Sequence, residues 1–130
     1  MKLVPITREK RAIQLLYDLL LERTPEQSIS HKAMPTLADH TAFVRSQPYQ
    51  CWYLILLEDY VGSIYLSKQR EIGVFIFKEH QGNGCATEAV DLLMGKWPGP
   101  FFANVAPTNP ASQRFFEKLG FKHIQNTYAR

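Results

Sequence analysis

Three strand-like runs follow one another with almost no chain between them: Cys51–Leu57, Tyr60–Leu66 and Glu71–Phe77. Each has strand length and is rich in aromatic and branched apolar residues. Only Glu58-Asp59 and Ser67-Lys68-Gln69-Arg70 separate them. A parallel return needs a crossover of about a dozen residues or more, so these runs must form an antiparallel meander. Whatever else the chain builds has to pack on that meander.

The flanking sequence supplies helices and further strands. Residues 2–6 read as a short strand. Ala12, Ile13, Leu15, Leu16, Leu19 and Leu20 recur at helical spacing, with Thr7 as a candidate cap. Residues 24–35 are loop-like, with Pro25, Ser28, Ser30 and Pro35. Thr36 is placed to cap a second helix to about Arg45, and Pro48 stops any continuation. After the meander, a helix carries Ala86, Ala89, Val90, Leu93 and Trp97 on one face until Pro98-Gly99-Pro100 ends it. Phe101–Ala106 reads as a strand. Thr108 or Asn109 caps a last helix that turns Phe115, Phe116 and Leu119 inward and ends at Gly120. Phe121 to about Tyr128 reads as a final strand. The predicted order is βααβββαβαβ, an α/β (α+β) layer arrangement. Trp52 and Tyr53 have opposite parity, so one is expected inside and the other outside.

Size and composition set the class. At 130 residues, with 45% hydrophobic and 21% charged, the chain reads as one globular domain, residues 1–130, and not as a disordered one. Two cysteines, Cys51 and Cys85, make no disulfide scaffold and have no neighbours at zinc-ligand spacing. A reducing, cytoplasmic setting and no metal are the expectations. Residues 1–9 are interrupted by charge and do not read as a signal peptide. The longest apolar run, Trp52–Leu57, is far too short to span a membrane. A net charge of +3 suits an anionic ligand, but the basic residues are scattered rather than striped, so nucleic acid is not an expected partner.

The chemistry concentrates where the third run enters Lys78–Gly84 and a helix begins. The first N–H groups of a helix lack internal partners and carry partial positive charge. Glycines let the backbone approach a ligand closely. A loop of this kind cradles phosphate oxygens. It lacks Gly-Lys-Ser/Thr, so it is no P-loop. It also lacks the third glycine of GxGxxG and follows a meander strand, which argues against a dinucleotide fold.

Gln81-Gly82-Asn83-Gly84-Cys85-Ala86 fits Q/R-x-x-G-x-G/A and resembles the acyl-CoA pyrophosphate loop of the GNAT superfamily of N-acetyltransferases. About 23 residues on, Asn104 opens a segment whose Asn109, Ser112 and Phe115-Phe116-Glu117-Lys118-Leu119-Gly120-Phe121 resemble that family's N-x-x-S-x-x-F-Y-E-K-L-G-F block. The two motifs stand in the family's element order. The resemblance implies a mixed, mostly antiparallel sheet with a splayed strand pair that takes acetyl-CoA. It implies that Val74, Phe75 and Ile76 bind the pantetheine arm through their backbone. Gln81, Gly82, Asn83, Gly84, Cys85 and Ala86 would hold the pyrophosphate. Asn109 would reach the pantetheine or the reacting centre, with Ser112 nearby. Cys85 is then a loop residue and no nucleophile, because the family transfers directly. Lys78, His80, Arg114 and Lys118 are weaker candidates for phosphate contacts.

Acetyl transfer needs a neutral amine. An alkylamine of pKa about 10.4 costs roughly 4–5 kcal/mol to deprotonate at pH 7. Glu71, at the head of the pantetheine-binding strand, is the candidate base, direct or through water. A backbone N–H between Val74 and Ile76 is the candidate polariser of the carbonyl. Phe116 stands where many relatives of this family carry a general-acid tyrosine. Three readings stay open: another donor such as Tyr128, unassisted departure of a thiol of pKa about 8.5, or weak catalysis. His31, His40, Asn104 and Tyr128 are the candidate acceptor contacts.

The expected function is N-acetylation of a primary amine on a small molecule, with acetyl-CoA as donor and no metal. An amino sugar is the favoured acceptor, because residues 40–55 loosely resemble relatives that modify such sugars. A protein N-terminus or lysine acetyltransferase is the alternative enzyme, and would need an open groove beside residues 21–35. A CoA-binding module without turnover is the alternative outside enzymes, and Phe116 keeps it open. The resemblance admits a homodimer, but no interface is legible in the sequence.

Overall fold

A computed structural model describes residues 1–23 and 34–130. Four strands form one antiparallel sheet in the order β1-β2-β3-β4: β1 (Lys2–Pro5), β2 (Cys51–Leu56), β3 (Tyr60–Leu66) and β4 (Ile72–Ile76). The short linkers force the β2–β3–β4 meander, as the sequence requires. Its register pairs Leu54 with Ser63 and Val74 with Ile64. The pairing shifts between Ile55 and Leu56, where Gly62 and then Tyr60 stand opposite. This bulge brings Val61 to the same face as Ile64.

Helices cover both faces. On one, α1 (Ala12–Glu22) and α2 (Leu37–Arg45) bury Leu16, Leu19 and Val44 against Leu54, with Trp52, Phe75 and Phe77 packed around them. On the other, α3 (Cys85–Lys96) buries Ala89, Val90 and Leu93 against Ile55, Ile64, Leu66 and Ile72. The last helix, α4 (Pro110–Lys118), leans Phe115 on this second cluster.

Because both faces are covered, Trp52 and Tyr53 are both half-buried, and neither is the exposed member the parity suggested. Trp52 packs toward α1 and α2, while Tyr53 accepts a 3.0 Å hydrogen bond from Trp97 Nε1 on the other face.

Local signals set the helix ends. Thr36 Oγ1 accepts from Asp39 N at 3.1 Å, and Asn109 Oδ1 accepts from Ser112 N at 3.2 Å, so both act as N-caps. At the end of α4, Gly120 N–H donates to Glu117 O, and Phe121 N–H to Phe116 O. Gly120 has φ +92°. Together these form a Schellman motif. Thr7 does not cap α1. It lies in a 3₁₀ turn (Ile6–Arg8), and α1 starts after Arg11 with no side-chain cap.

Two expected strands are absent. The segment 101–106 makes one parallel bridge, Glu71 with Phe102, and then leaves β4. Residues 121–128 join no ladder, and Ile124 and Tyr128 are 71% and 88% exposed. Polar residues Lys122, His123, Gln125, Asn126 and Thr127 dominate that stretch, so pairing it would bury little apolar surface.

Gly62 and Gly95 give opposite expectations. A Cβ on Gly62 would lie 2.1 Å from Phe75 O, inside the β3–β4 ladder, so Gly62→Ala must push backbone apart. It should cost about 1–3 kcal/mol and lower the melting temperature by several degrees. Gly95 lies in α3 with nothing within 4 Å of an added Cβ. Gly95→Ala should stabilise by about 0.5–1 kcal/mol. Thermal melts of the two variants beside the parent check both signs.

Candidate acyl-donor cleft and adjoining aromatic cavity

The edge of β4 is the first element of the site. Ile72 N–H donates outward to Phe102 O at 2.7 Å, while Glu71 O and Phe77 N–H are used inward, toward β3. Backbone direction alternates along a strand. Val74 and Ile76 therefore turn their N–H and C=O groups to the outer edge, and Phe75 turns its own toward Ser63. Beyond Phe102 no described strand pairs with that edge. Gln81 Nε2 reaches back to Ile76 O at 3.0 Å and ties the loop to the strand end. Of the three expected pantetheine contacts, Val74 and Ile76 thus present backbone to the edge. Phe75 instead offers its ring to the face that holds α1.

The loop follows directly. A 3₁₀ turn (Lys78–His80) leads through Gly82 and Gly84, with φ +83° and +77°. Only glycine adopts such values at low cost. An added Cβ at either would meet nothing within 4 Å, so this face of the loop is open. Gly84 is the N-cap of α3 and offers no side chain, so the first N–H groups of the helix have no side-chain cap. Gln81, Gly82, Asn83 and Gly84 are exposed, Ala86 is half-buried, and Cys85 turns into the core at 7% exposure. Glu22 anchors the turn from α1, its Oε1 accepting from Lys78 N at 2.7 Å.

Between the β4 edge and residues 104–106 lies a cleft of about 310 Å3. It is lined by Glu71, Val74, Phe75, Ile76, Gln81 and Ala86 on one side, and by Asn104, Asn109, Ser112 and Phe116 on the other. The catalytic candidates Glu71 and Asn109 and most of the cofactor candidates therefore share one cleft. Asn104 Nδ2 donates to Glu71 Oε2 at 2.6 Å, which steadies the carboxylate. Asn109 holds the α4 N-terminus with its Oδ1. Phe116 packs edge-on to Phe115 and Phe121, at 4.9 and 5.2 Å between ring centroids.

The acceptor candidates scatter. His31 lies outside the described residues, as does most of the loop beside which a peptide groove was expected. His40 is buried, with Nε2 3.3 Å from Ile13 O and its ring against Tyr17 at 5.3 Å. It lines a second cavity, not the cleft. Tyr128 is exposed and lines neither. Among the more remote candidates, Lys78, Arg114 and Lys118 lie outside the cleft, and His80 faces Glu79 at 3.4 Å. Among the described residues no cluster of three His, Cys, Asp or Glu could hold a metal. No helix there is long and apolar enough to cross a membrane.

The second cavity, of about 200 Å3, adjoins the cleft through shared walls of Arg23, Tyr49 and Tyr65. Tyr49 stacks on Tyr65 at 3.8 Å with an interplanar angle of 3°, and Trp52 meets Tyr49 edge-on at 4.7 Å. The Arg23 guanidinium lies 3.6 Å from the centroid of Phe75. Burial lowers the Arg23 pKa, and burial raises those of Tyr49 and Tyr65. Sequence reasoning did not single out Arg23, Tyr49 or Tyr65 as site residues, because they are distant in the chain. One local signal was present: an isolated glycine inside a strand, Gly73, marks a close approach. Its missing Cβ leaves room for the Tyr65 ring, which would otherwise lie at 2.2 Å.

Residues 3–122 match the acetyltransferase (GNAT) domain, so the chain belongs to the GNAT acetyltransferase family. No curated protein sequence matches it significantly. Among solved structures, an acetyltransferase from Thermus thermophilus superposes with a TM-score of 0.76 at 20% identity, over 96% of this chain and 88% of that one. An N-acetyltransferase from Staphylococcus aureus gives 0.69 at 14% identity, over 95% and 83%. YncA from Salmonella typhimurium, a putative acetyltransferase solved with its cofactor acetyl-CoA, gives 0.67 at 16% identity, over 92% and 77%.

Gly73→Ala tests the coupling of cleft and cavity. The new Cβ must drive the Tyr65 ring off its stack on Tyr49. A stability loss of about 1–3 kcal/mol is expected, together with a changed near-ultraviolet circular dichroism signal from the displaced tyrosines.

Proposed function

We propose that the chain is an N-acetyltransferase that moves an acetyl group from acetyl-CoA directly to a primary amine of a small molecule. The observation that carries this reading is the open outer edge of β4 running into the glycine loop at the start of α3. The Val74 and Ile76 backbone suits the amide-rich pantetheine arm, whose groups would replace a missing strand. The loop N–H groups and the helix N-terminus suit a pyrophosphate.

The donor supplies the acetyl group as a thioester. Val74 N–H, on the open edge of β4, would polarise the thioester carbonyl, an oxyanion-hole role. Glu71, at the head of the same strand and oriented by Asn104, takes the amine proton directly or through water. Phe116 brings no proton. Tyr49 and Tyr65, which also line the cleft, carry hydroxyls that burial keeps protonated. They are better placed than Tyr128 to donate to the departing thiolate. An amino sugar remains the first acceptor to try.

Thermal melting with acetyl-CoA, CoA and ATP tests the donor. At 100 times the dissociation constant a bound donor adds about 2.7 kcal/mol, a shift of several degrees. Acetyl-CoA and CoA should raise the melting temperature and ATP should not; no shift with either CoA species rejects the reading. Gly84→Ala, which puts a side chain at φ +77°, should strain the loop by about 1–2 kcal/mol and weaken CoA binding about 10-fold.

Glu71→Gln separates chemistry from binding. It should leave the CoA shift in place and lower kcat/KM on the best amine by about 100-fold or more at neutral pH. Equal turnover by this variant would exclude Glu71 as the base.

A further inference from the structure

The aromatic cavity holds two buried donors that have no acceptor among the described residues. Arg23 Nε and Trp52 Nε1 have no hydrogen-bond partner among the described residues. Both residues line the same cavity of about 200 Å3. Buried donors are rarely left unmade, and an orphan of this kind points to a ligand or water that completes it. The ion pairs among the described residues are Arg11–Glu9 and His80–Glu79, so Arg23 has no carboxylate partner there. Its flat face is already used against the Phe75 ring. Arg and Trp donate and never accept, so the missing partner must supply acceptor oxygens. Asp39 also lines the cavity, but it is exposed and makes no ion pair with Arg23.

Position decides what kind of molecule carries those oxygens. Arg23, Tyr49 and Tyr65 face both the cavity and the cleft that contains Glu71. Phe75, the ring under Arg23, belongs to the strand whose edge is the proposed donor site. We infer that the acceptor is a primary amine that also carries an anionic oxygen group, and that Arg23 and Trp52 hold this group in the aromatic cavity while the amine faces Glu71. A carboxylate and a phosphate share the required chemistry. The inference rests on the acetyltransferase reading and narrows its acceptor. The cavity is smaller than most drug-sized sites, which suits a compact acceptor.

Binding to the CoA-saturated protein tests this without turnover. Two matched pairs serve in calorimetry: L-phenylalanine against phenethylamine, and glucosamine 6-phosphate against glucosamine. The anionic member of one pair should bind about 10- to 100-fold more tightly than its neutral partner, and the pair that discriminates identifies carboxylate or phosphate. Arg23→Gln should bring that ratio to within about threefold, Arg23→Lys should keep part of it, and Trp52→Phe should reduce it without abolishing it. Trp52→Phe retains an aromatic ring, so it stays informative if Arg23→Gln does not fold. Neutral amines binding as tightly as their anionic partners would overturn the inference, as would no binding of any amine at millimolar concentration. A CoA melting shift without charge preference sinks this inference alone; absence of the CoA shift sinks the donor reading and the inference with it.

Discussion

One hydrogen-bonded bridge decides the shape of the functional half of this molecule. Ile72 N–H donates to Phe102 O at 2.7 Å, and Phe102 N–H donates to Arg70 O at 2.8 Å. The next polar contact between the two segments is made by side chains, Asn104 to Glu71 at 2.6 Å. Had the ladder continued, a fifth strand would pair with the Val74 and Ile76 edge and close the cleft. An unpaired edge is ordinarily a liability, a template for another chain. Here residues 104–106 and α4 stand off from it and leave an open cleft along the strand. The early end of this pairing therefore creates the site.

The same bridge explains what could and could not be read from the sequence. Features that depend on a few neighbouring residues were legible: the meander, the Thr36 and Asn109 caps, the Gly120 helix end and the glycine loop. The GNAT family was legible for the same reason, since its two motifs are short and local. Strand pairing is not local. Phe101–Ala106 has strand-like composition, but composition does not say that pairing stops after Phe102. Residues 121–128 alternate well enough to suggest a strand, yet they pair with no described strand and are mostly polar and exposed. The acceptor side was least legible. Arg23, Tyr49, Trp52 and Tyr65 come from three separate parts of the chain and meet only after the sheet and α1 have packed.

Phe116 has a structural role beside its place in the cleft. Its missing hydroxyl looks like a deficit in a family that often has tyrosine there. In the fold it occupies the position whose carbonyl accepts from Phe121 N–H in the Schellman motif, and its ring meets the Phe121 ring at 5.2 Å. That apolar contact is the usual companion of the motif. Phe116 thus helps fix the end of α4 while its other side lines the cleft. The hydroxyls in the cleft come instead from Tyr49 and Tyr65, on the opposite wall, and from Ser112.

A strand has two kinds of surface, an edge and two faces, and β4 uses them differently. Its outer edge is backbone: Val74 and Ile76 present N–H and C=O groups that every residue but proline possesses. Its face toward α1 is side chain: Glu71, Gly73 and Phe75 lie there at alternate positions, with Tyr65 over Gly73 and Arg23 over Phe75. A change of side chain on that face alters the aromatic cavity and leaves the edge groups in place. The backbone edge therefore tolerates sequence change, while the chemistry of the face varies with each substitution. The fold itself matches solved acetyltransferase structures at 14–20% identity. On the side of that face, Arg23 Nε and Trp52 Nε1 have no hydrogen-bond partner among the described residues.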